Sequence, residues 1–239
     1  MHVDIVGSGP RLVLVHGSVN AGWQAWAAQR PLAERFTLVV VTRGGYLPNR
    51  PLERIDFEDQ AVELAESLES GDHLVGHSYG GVVSLLASGR RPELLGSLTV
   101  IEPPAFGVAF EHPEVQDFLA FRSASPREPK AYLEFFLPLV GAAFRAPAQL
   151  PPELEAGARA AIAERPPNEA EIPLAALRVA PFPKLVVSGG HHAAFDAVCD
   201  VLERELGAER AVVPGAGHSV PRTGEPFNAV LADFLARSA

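Results

Sequence analysis

Six short apolar runs, each stopped by a turn residue, constrain this chain more than any other feature of its sequence. Residues 12–15 end at His16-Gly17, and 37–41 at Thr42-Arg43-Gly44-Gly45. Residues 73–75 end at Gly76-His77-Ser78, and 97–101 at Glu102-Pro103-Pro104. Residues 184–187 end at Ser188-Gly189-Gly190, and 211–213 at Pro214-Gly215. These runs are rich in β-branched residues, largely apolar and ended by turn residues, the pattern of strands buried on both faces of a parallel sheet. Helical periods lie between them. Residues 57–70 carry Ala61, Leu64, Ala65 and Leu68 on one face and Glu63, Glu66 and Glu69 elsewhere. Residues 80–88 read as a small, apolar, buried helix, and 195–206 and 226–236 as amphipathic ones. Strand–helix alternation of this kind predicts a mostly parallel α/β sheet with right-handed crossovers. Residues 2–6 can add an edge strand.

The rhythm breaks between Pro103 and Pro183. No strand pattern occurs there, and prolines punctuate helical pieces at 114–123, 130–144 and 152–164. The expected organisation is therefore a core made of residues 1–102 and 184–239, with a helical insertion at 103–183. A chain of 239 residues suits one such domain.

Composition excludes several roles. The formal charge is −9 with no clustered basic residues, so nucleic acid is not an expected partner. One cysteine, Cys199, rules out an intrachain disulfide. No stretch is long and apolar enough to span a bilayer, and residues 1–9 lack the basic and apolar regions of a signal peptide. Together these lead us to expect the cytoplasm.

The chemistry is concentrated in Gly76-His77-Ser78-Tyr79-Gly80, a G-x-S-x-G sequence with a strand before it and a helix after it. A sharp strand-to-helix turn strains the backbone of the central serine, and only glycine fits two residues to either side. The Ser78 hydroxyl is thereby exposed at the carboxyl edge of the sheet. The Tyr79 backbone N–H opens the following helix, where the dipole favours an anion. The Ser18 backbone N–H, in the His16-Gly17-Ser18 loop, is the natural second donor to an oxyanion. Serine is a weak nucleophile at neutral pH and needs a base. His218 lies in the glycine-rich loop Pro214-Gly215-Ala216-Gly217-His218, directly after the last strand.

In these features, and in their order, the chain resembles the α/β-hydrolase superfamily along nearly all its length. The resemblance implies a doubly wound, mostly parallel sheet with a helical cap insertion, Ser78 as nucleophile, His218 as base, and no metal or organic cofactor. Ser78 separates the chain from the branches of that superfamily that use Asp as nucleophile.

One position departs from the family pattern. The turn after the penultimate strand usually supplies the acid that orients the base. Here it reads Gly189-Gly190-His191-His192, with His192 where the carboxylate is expected. Two acids can substitute. Glu102 follows the strand after the nucleophile helix, as in some family branches, and is our preferred assignment. Asp196, four residues past the vacant position, is the alternative, although an acid opening a helix also has a purely structural use. A metal at His191 and His192 is not expected, because adjacent side chains diverge and no partner shows ligand spacing.

The insertion holds Phe106, Phe110, Phe118, Phe121, Phe135, Phe136 and Phe144, out of thirteen phenylalanines in the chain. Most are expected to pack the insertion onto the sheet. Several can line an apolar pocket above Ser78, with Tyr132 adding one polar contact. The expected activity is hydrolysis of an ester or lactone of a small hydrophobic substrate through an acyl-enzyme. Alternatives on the same triad are hydroxynitrile lyase or acyltransferase chemistry. A ligand sensor with an idle triad would account for the vacant acid position.

Overall fold

The computed structural model describes residues 1–238. Seven strands form one sheet in the order β1-β3-β2-β4-β5-β6-β7. They are β1 (His2–Gly7), β2 (Arg11–Val15), β3 (Thr37–Thr42), β4 (Asp72–His77), β5 (Leu95–Ile101), β6 (Lys184–Ser188) and β7 (Glu209–Val212). The edge strand β1 is antiparallel to β3, and every other pair is parallel.

Successive strand residues feed opposite layers. Val13, Val15, Val39, Val41, Leu74, Leu98, Val100 and Val186 face α2 (Phe57–Ser67), α3 (Tyr79–Arg90) and α8 (Ala193–Leu206). Leu12, Leu14, Leu38, Val40, Val75, Ile101, Leu185 and Val187 face α1 (Trp23–Trp26), a 3₁₀ stretch at Ala27–Glu34 and α9 (Glu225–Arg237). Both strand faces are thus apolar, which is why the central runs read as continuous. Asp56 caps α2 by accepting from the Glu58 N–H (3.0 Å).

Between β5 and β6 the chain is helical: α4 (Pro113–Arg122), α5 (Pro129–Leu139), α6 (Pro152–Ala163) and α7 (Leu174–Val179), joined by 3₁₀ turns. Leu133, Leu137, Ala158 and Ala161 join α5 to α6 and pack on Val19 of the core. No helix among the described residues is long and apolar enough to cross a membrane.

Several expected boundaries move. The helix expected at 130–144 ends at Leu139, where Pro138 removes an amide donor and Gly141 turns left-handed at φ 62°. The helix expected at 57–70 stops at Ser67, before an extended Leu68. The last strand runs over Glu209–Val212 rather than 211–213. Its half-exposed edge position admits Glu209 and Arg210, which hide it from an apolar search.

Leu74, fully buried at the middle of β4, measures how far the site rests on this core. Leu74→Ala is expected to lower unfolding free energy by about 2–5 kcal/mol in urea denaturation. The folded fraction should keep the Ser78 environment described below.

Candidate active site

β4 ends at His77 and α3 begins at Tyr79, so Ser78 alone makes the turn, at φ 52°, ψ −125°. The Ser78 N–H donates to the Ile101 carbonyl (2.8 Å), extending the β4–β5 ladder past both strands and pinning the strained residue. A Cβ on Gly76 would fall on Ser84 Oγ and the Gly80 carbonyl. One on Gly80 would fall on the carbonyls of Val15 and His16. The expected glycine requirement is thus steric, and the neighbour that imposes it at Gly80 is the end of β2.

His218 follows β7 in a loop stitched to the insertion. Its N–H donates to the Gly141 carbonyl (3.2 Å), and the Ala143 N–H donates to Ser219 Oγ (3.2 Å). His77 donates from Nε2 to the His218 carbonyl (2.8 Å). Burial pushes His77 down to about 3, so it stays neutral and keeps that role. The His218 ring is thereby aimed at the elbow: Ser78 Oγ donates to Nε2 (2.9 Å), and Nδ1 donates to Glu102 Oε2 (3.2 Å). Burial, followed by His191 and His192, pushes His218 down to about 3, so its Nε2 is a free acceptor at neutral pH.

Glu102 is fully buried and holds its own strained backbone at φ 49°. Its N–H donates to the Val187 carbonyl (2.9 Å), continuing the β5–β6 ladder. Its other oxygen, Oε1, accepts from the Gly189 N–H (2.6 Å), so the turn that lacks an acid supplies an amide to one instead. Burial pushes Glu102 up to about 7, against the opposing pull of that amide and of His191. Asp196 lies elsewhere: it accepts from Ser188 Oγ (2.9 Å) and pairs with Arg210 (3.4 Å).

His191 and His192 diverge as expected, and His192 caps α8 by accepting from the Ala194 N–H (3.2 Å). His191 does find an acid, which the spacing did not suggest. Its Nδ1 faces Glu102 Oε2 at 3.7 Å, while Nε2 donates to the Val140 carbonyl (2.9 Å). Donor atoms of Glu102, His191 and His218 all lie within 4.8 Å of one another. These groups could ligate a cation only by surrendering the Glu102–His218 hydrogen bond.

The Ser18 N–H has no hydrogen-bond partner among the described residues. Tyr79, as first residue of α3, lacks a carbonyl one turn back. The loop carrying Ser18 is braced by a buried network that sequence reasoning did not find. Arg43, just past β3, donates to the carbonyls of His16 and Gly17 (2.9 Å each) and to Gln60 Oε1 (2.7 Å). Its guanidinium pairs with Glu164 (2.5 Å), which also accepts from Tyr46 Oη (2.7 Å) and Ser18 Oγ (2.5 Å). Desolvation and Arg43 hold His16 well below its ordinary value, so its Nε2 accepts from the Arg43 N–H (3.0 Å). Glu164 follows α6 directly, so one carboxylate ties the insertion to the loop. Removing one partner of such a pair costs about 3–5 kcal/mol.

Two cavities meet at Ser78 and His218. The larger, about 530 Å3 counted to its open mouth, is lined by Ser18, Phe136, Leu137, Phe144, Pro221 and Arg222. The smaller, about 370 Å3, is lined by Phe106, Phe118, Arg122, Tyr132, Phe136 and Phe195. The phenylalanines of the insertion therefore divide. Phe106, Phe118, Phe136 and Phe144 face the cavities, whereas Phe110 and Phe121 are 52% and 59% exposed.

The raised Glu102 sets a stability prediction. A carboxyl that binds its proton more tightly when folded favours the folded state most at acid pH. That contribution fades as pH rises from the ordinary carboxylate range through about 7. Glu102→Gln is therefore expected to melt above the wild type at pH 8. The difference should vanish toward pH 4.5, as read by thermal denaturation across pH.

The chain is 30% identical over 148 residues to the pimeloyl-[acyl-carrier protein] methyl ester esterase of Xanthomonas oryzae pv. oryzae, covering 58% of this chain and 56% of that one. It is 30% identical over 128 residues to the dihydrolipoyllysine-residue acetyltransferase component of the acetoin cleaving system of Pseudomonas putida, covering 51% and 34% respectively. The chain thus spans about half or less of the length of these relatives. Among solved structures, a thermophilic esterase from Thermogutta terrifontis superposes with a TM-score of 0.65 at 22% identity, over 99% of this chain and 93% of that one, which speaks to fold alone. Residues 12–231 match the family model described as the alpha/beta hydrolase family, and the chain belongs to that family.

Proposed function

We propose that the protein is a serine hydrolase that cleaves a carboxylic ester or lactone of a small hydrophobic substrate through an acyl-enzyme. The observation that carries this reading is the line Ser78 Oγ, His218 Nε2, His218 Nδ1, Glu102 Oε2, with separations of 2.9 and 3.2 Å at its two hydrogen bonds. The first relative's name, a methyl ester esterase, agrees with it.

The proposed cycle uses only this chain's groups and water. Ser78 passes its hydroxyl proton to His218 Nε2 as Oγ bonds to the substrate carbonyl carbon. The N–H groups of Ser18 and Tyr79 receive the oxyanion. His218 then protonates the departing alkoxide, leaving the acyl group on Ser78. A water gives its proton to His218 and attacks the acyl carbon. Collapse of the second tetrahedral species returns that proton to Ser78 and releases the acid. Glu102 holds the His218 tautomer and balances the imidazolium at each transfer. The helices of the insertion act as a cap whose phenylalanines exclude water from the reacting carbonyl. The hydrogen bond between Glu102 and His218 supports this reading over that of a sensor with an idle triad.

Pre-steady-state hydrolysis of p-nitrophenyl esters tests the reading. The wild type is expected to give a burst of nitrophenol that Ser78→Ala abolishes. Glu102→Gln should lower kcat/KM by about a hundredfold or more, and Asp196→Asn should change it little. The reverse ranking would move the acid to Asp196. No burst from the esters, with release of an aldehyde and cyanide from an added cyanohydrin, would favour lyase chemistry.

The pH profile gives a second check. Protonated Glu102 cannot balance the imidazolium, and His218 itself stays neutral down to about 3. The acid limb of kcat/KM should therefore have its midpoint near 7, where Glu102 ionises.

A further inference from the structure

Each of the two cavities that meet at Ser78 contains an arginine without a carboxylate partner among the described residues. Arg222 lines the larger one, over the Phe144 ring (5.1 Å to its centroid). Arg122 is different. It ends α4 half-buried in the smaller cavity, and its one side-chain hydrogen bond is a long contact from Nη1 to Asn168 Oδ1 (3.5 Å). Glu164 is the one acid lining this cavity, and its oxygens are taken by Arg43, Tyr46 and Ser18. Glu169, nearby on the surface, is paired with Arg165 (2.8 Å).

Tyr132 lines the same cavity. It is 8% exposed, stacks on Phe136 (5.1 Å), and its hydroxyl bonds to no described protein group. Burial raises its pKa, so it remains a phenol and a hydrogen-bond donor at any physiological pH. Both groups also border an outer groove and stay within reach of water, so each is available to bind a ligand rather than committed to a protein partner. One anionic acceptor supplied by a ligand would satisfy both. The apolar part of the lining includes Phe106, Phe118, Phe136, Phe195 and Val140, which suits methylenes, and the polar part includes Ser78 and His218. The chain's charge of −9 disfavours anions in general, so a local cation in the cavity selects for one.

We infer that the smaller cavity binds an acyl chain ending in a free carboxylate, held by Arg122 and Tyr132 while the ester carbonyl sits at Ser78. The substrate class is then the half-ester of a short dicarboxylic acid. This rests on the hydrolase reading above and narrows it.

The test compares p-nitrophenyl half-esters of succinate, glutarate and adipate with p-nitrophenyl alkanoates of matched length. The readout is the ratio of kcat/KM for the anionic to the neutral ester. The wild type is expected to prefer at least one half-ester by about tenfold or more, the worth of one charge-assisted hydrogen bond. Arg122→Gln should collapse that ratio, and Tyr132→Phe should reduce it mainly through KM. A wild-type ratio at or below one, a ratio that survives Arg122→Gln, or a ratio removed by Arg222→Gln instead would overturn the inference. Calorimetric titration of Ser78→Ala with monomethyl adipate needs no turnover. Binding that disappears when Arg122→Gln is added supports the carboxylate site even if no ester is cleaved. Absence of binding in Ser78→Ala, alongside normal turnover of neutral esters, sinks the inference and leaves the hydrolase reading intact.

Discussion

The arrangement depends on two residues held at left-handed backbone angles at the carboxyl edge of the sheet. Ser78 (φ 52°) and Glu102 (φ 49°) each directly follow a strand, and each donates its N–H to the next strand's ladder. Val19, next to Ser18, is the third non-glycine residue with positive φ among those described. Such residues cost about 1–3 kcal/mol each and persist only where their surroundings over-determine them. Here the surroundings are the sheet's own hydrogen bonds, extended one residue past β4 and β5. A parallel sheet buried on both faces supplies enough packing to hold that strain, which ties the fold to the site.

Around that edge the insertion does more than cover Ser78. It reaches the core through several main-chain and buried polar groups, three of them beside the site. The Gly141 carbonyl accepts from His218 N–H, the Val140 carbonyl accepts from His191, and Glu164 binds Arg43 and Ser18. A Cβ on Gly157 of α6 would fall on the Val19 carbonyl, so the helix is pressed against the third strained residue as well. His218, His191 and the loop carrying Ser18 are thus all braced from the same helical segment. Changes in the insertion should be felt in the geometry of the reacting groups as well as in pocket shape.

The parts legible in the sequence were those whose cause is local. Central strands announce themselves because both faces are apolar, and Gly76 and Gly80 mark the elbow because a Cβ there meets backbone. His218 follows from its place after the last strand. The nearness of Glu102 to His218 was suggested only by weighing chain order, since a glutamate before Pro103 has nothing distinctive about it. The groups that stayed hidden depend on long-range pairing. Arg43 and Glu164 are separated by 121 residues, and neither sits in a motif. His191 read as one of two adjacent histidines, and its approach to Glu102 exists only once β5 and β6 pair. The helix at Leu174–Val179 is too short to show a period.

The central claim is that an oxygen placed on the reacting carbon at Ser78 lies between two waiting N–H groups. A crystal structure of the protein after reaction with a fluorophosphonate tests it most directly. The account predicts phosphorus bonded to Ser78 Oγ, with the phosphoryl oxygen about 2.7–3.1 Å from both the Ser18 and Tyr79 nitrogens. Phosphorus on another residue, or a phosphoryl oxygen turned away from that pair, would contradict it.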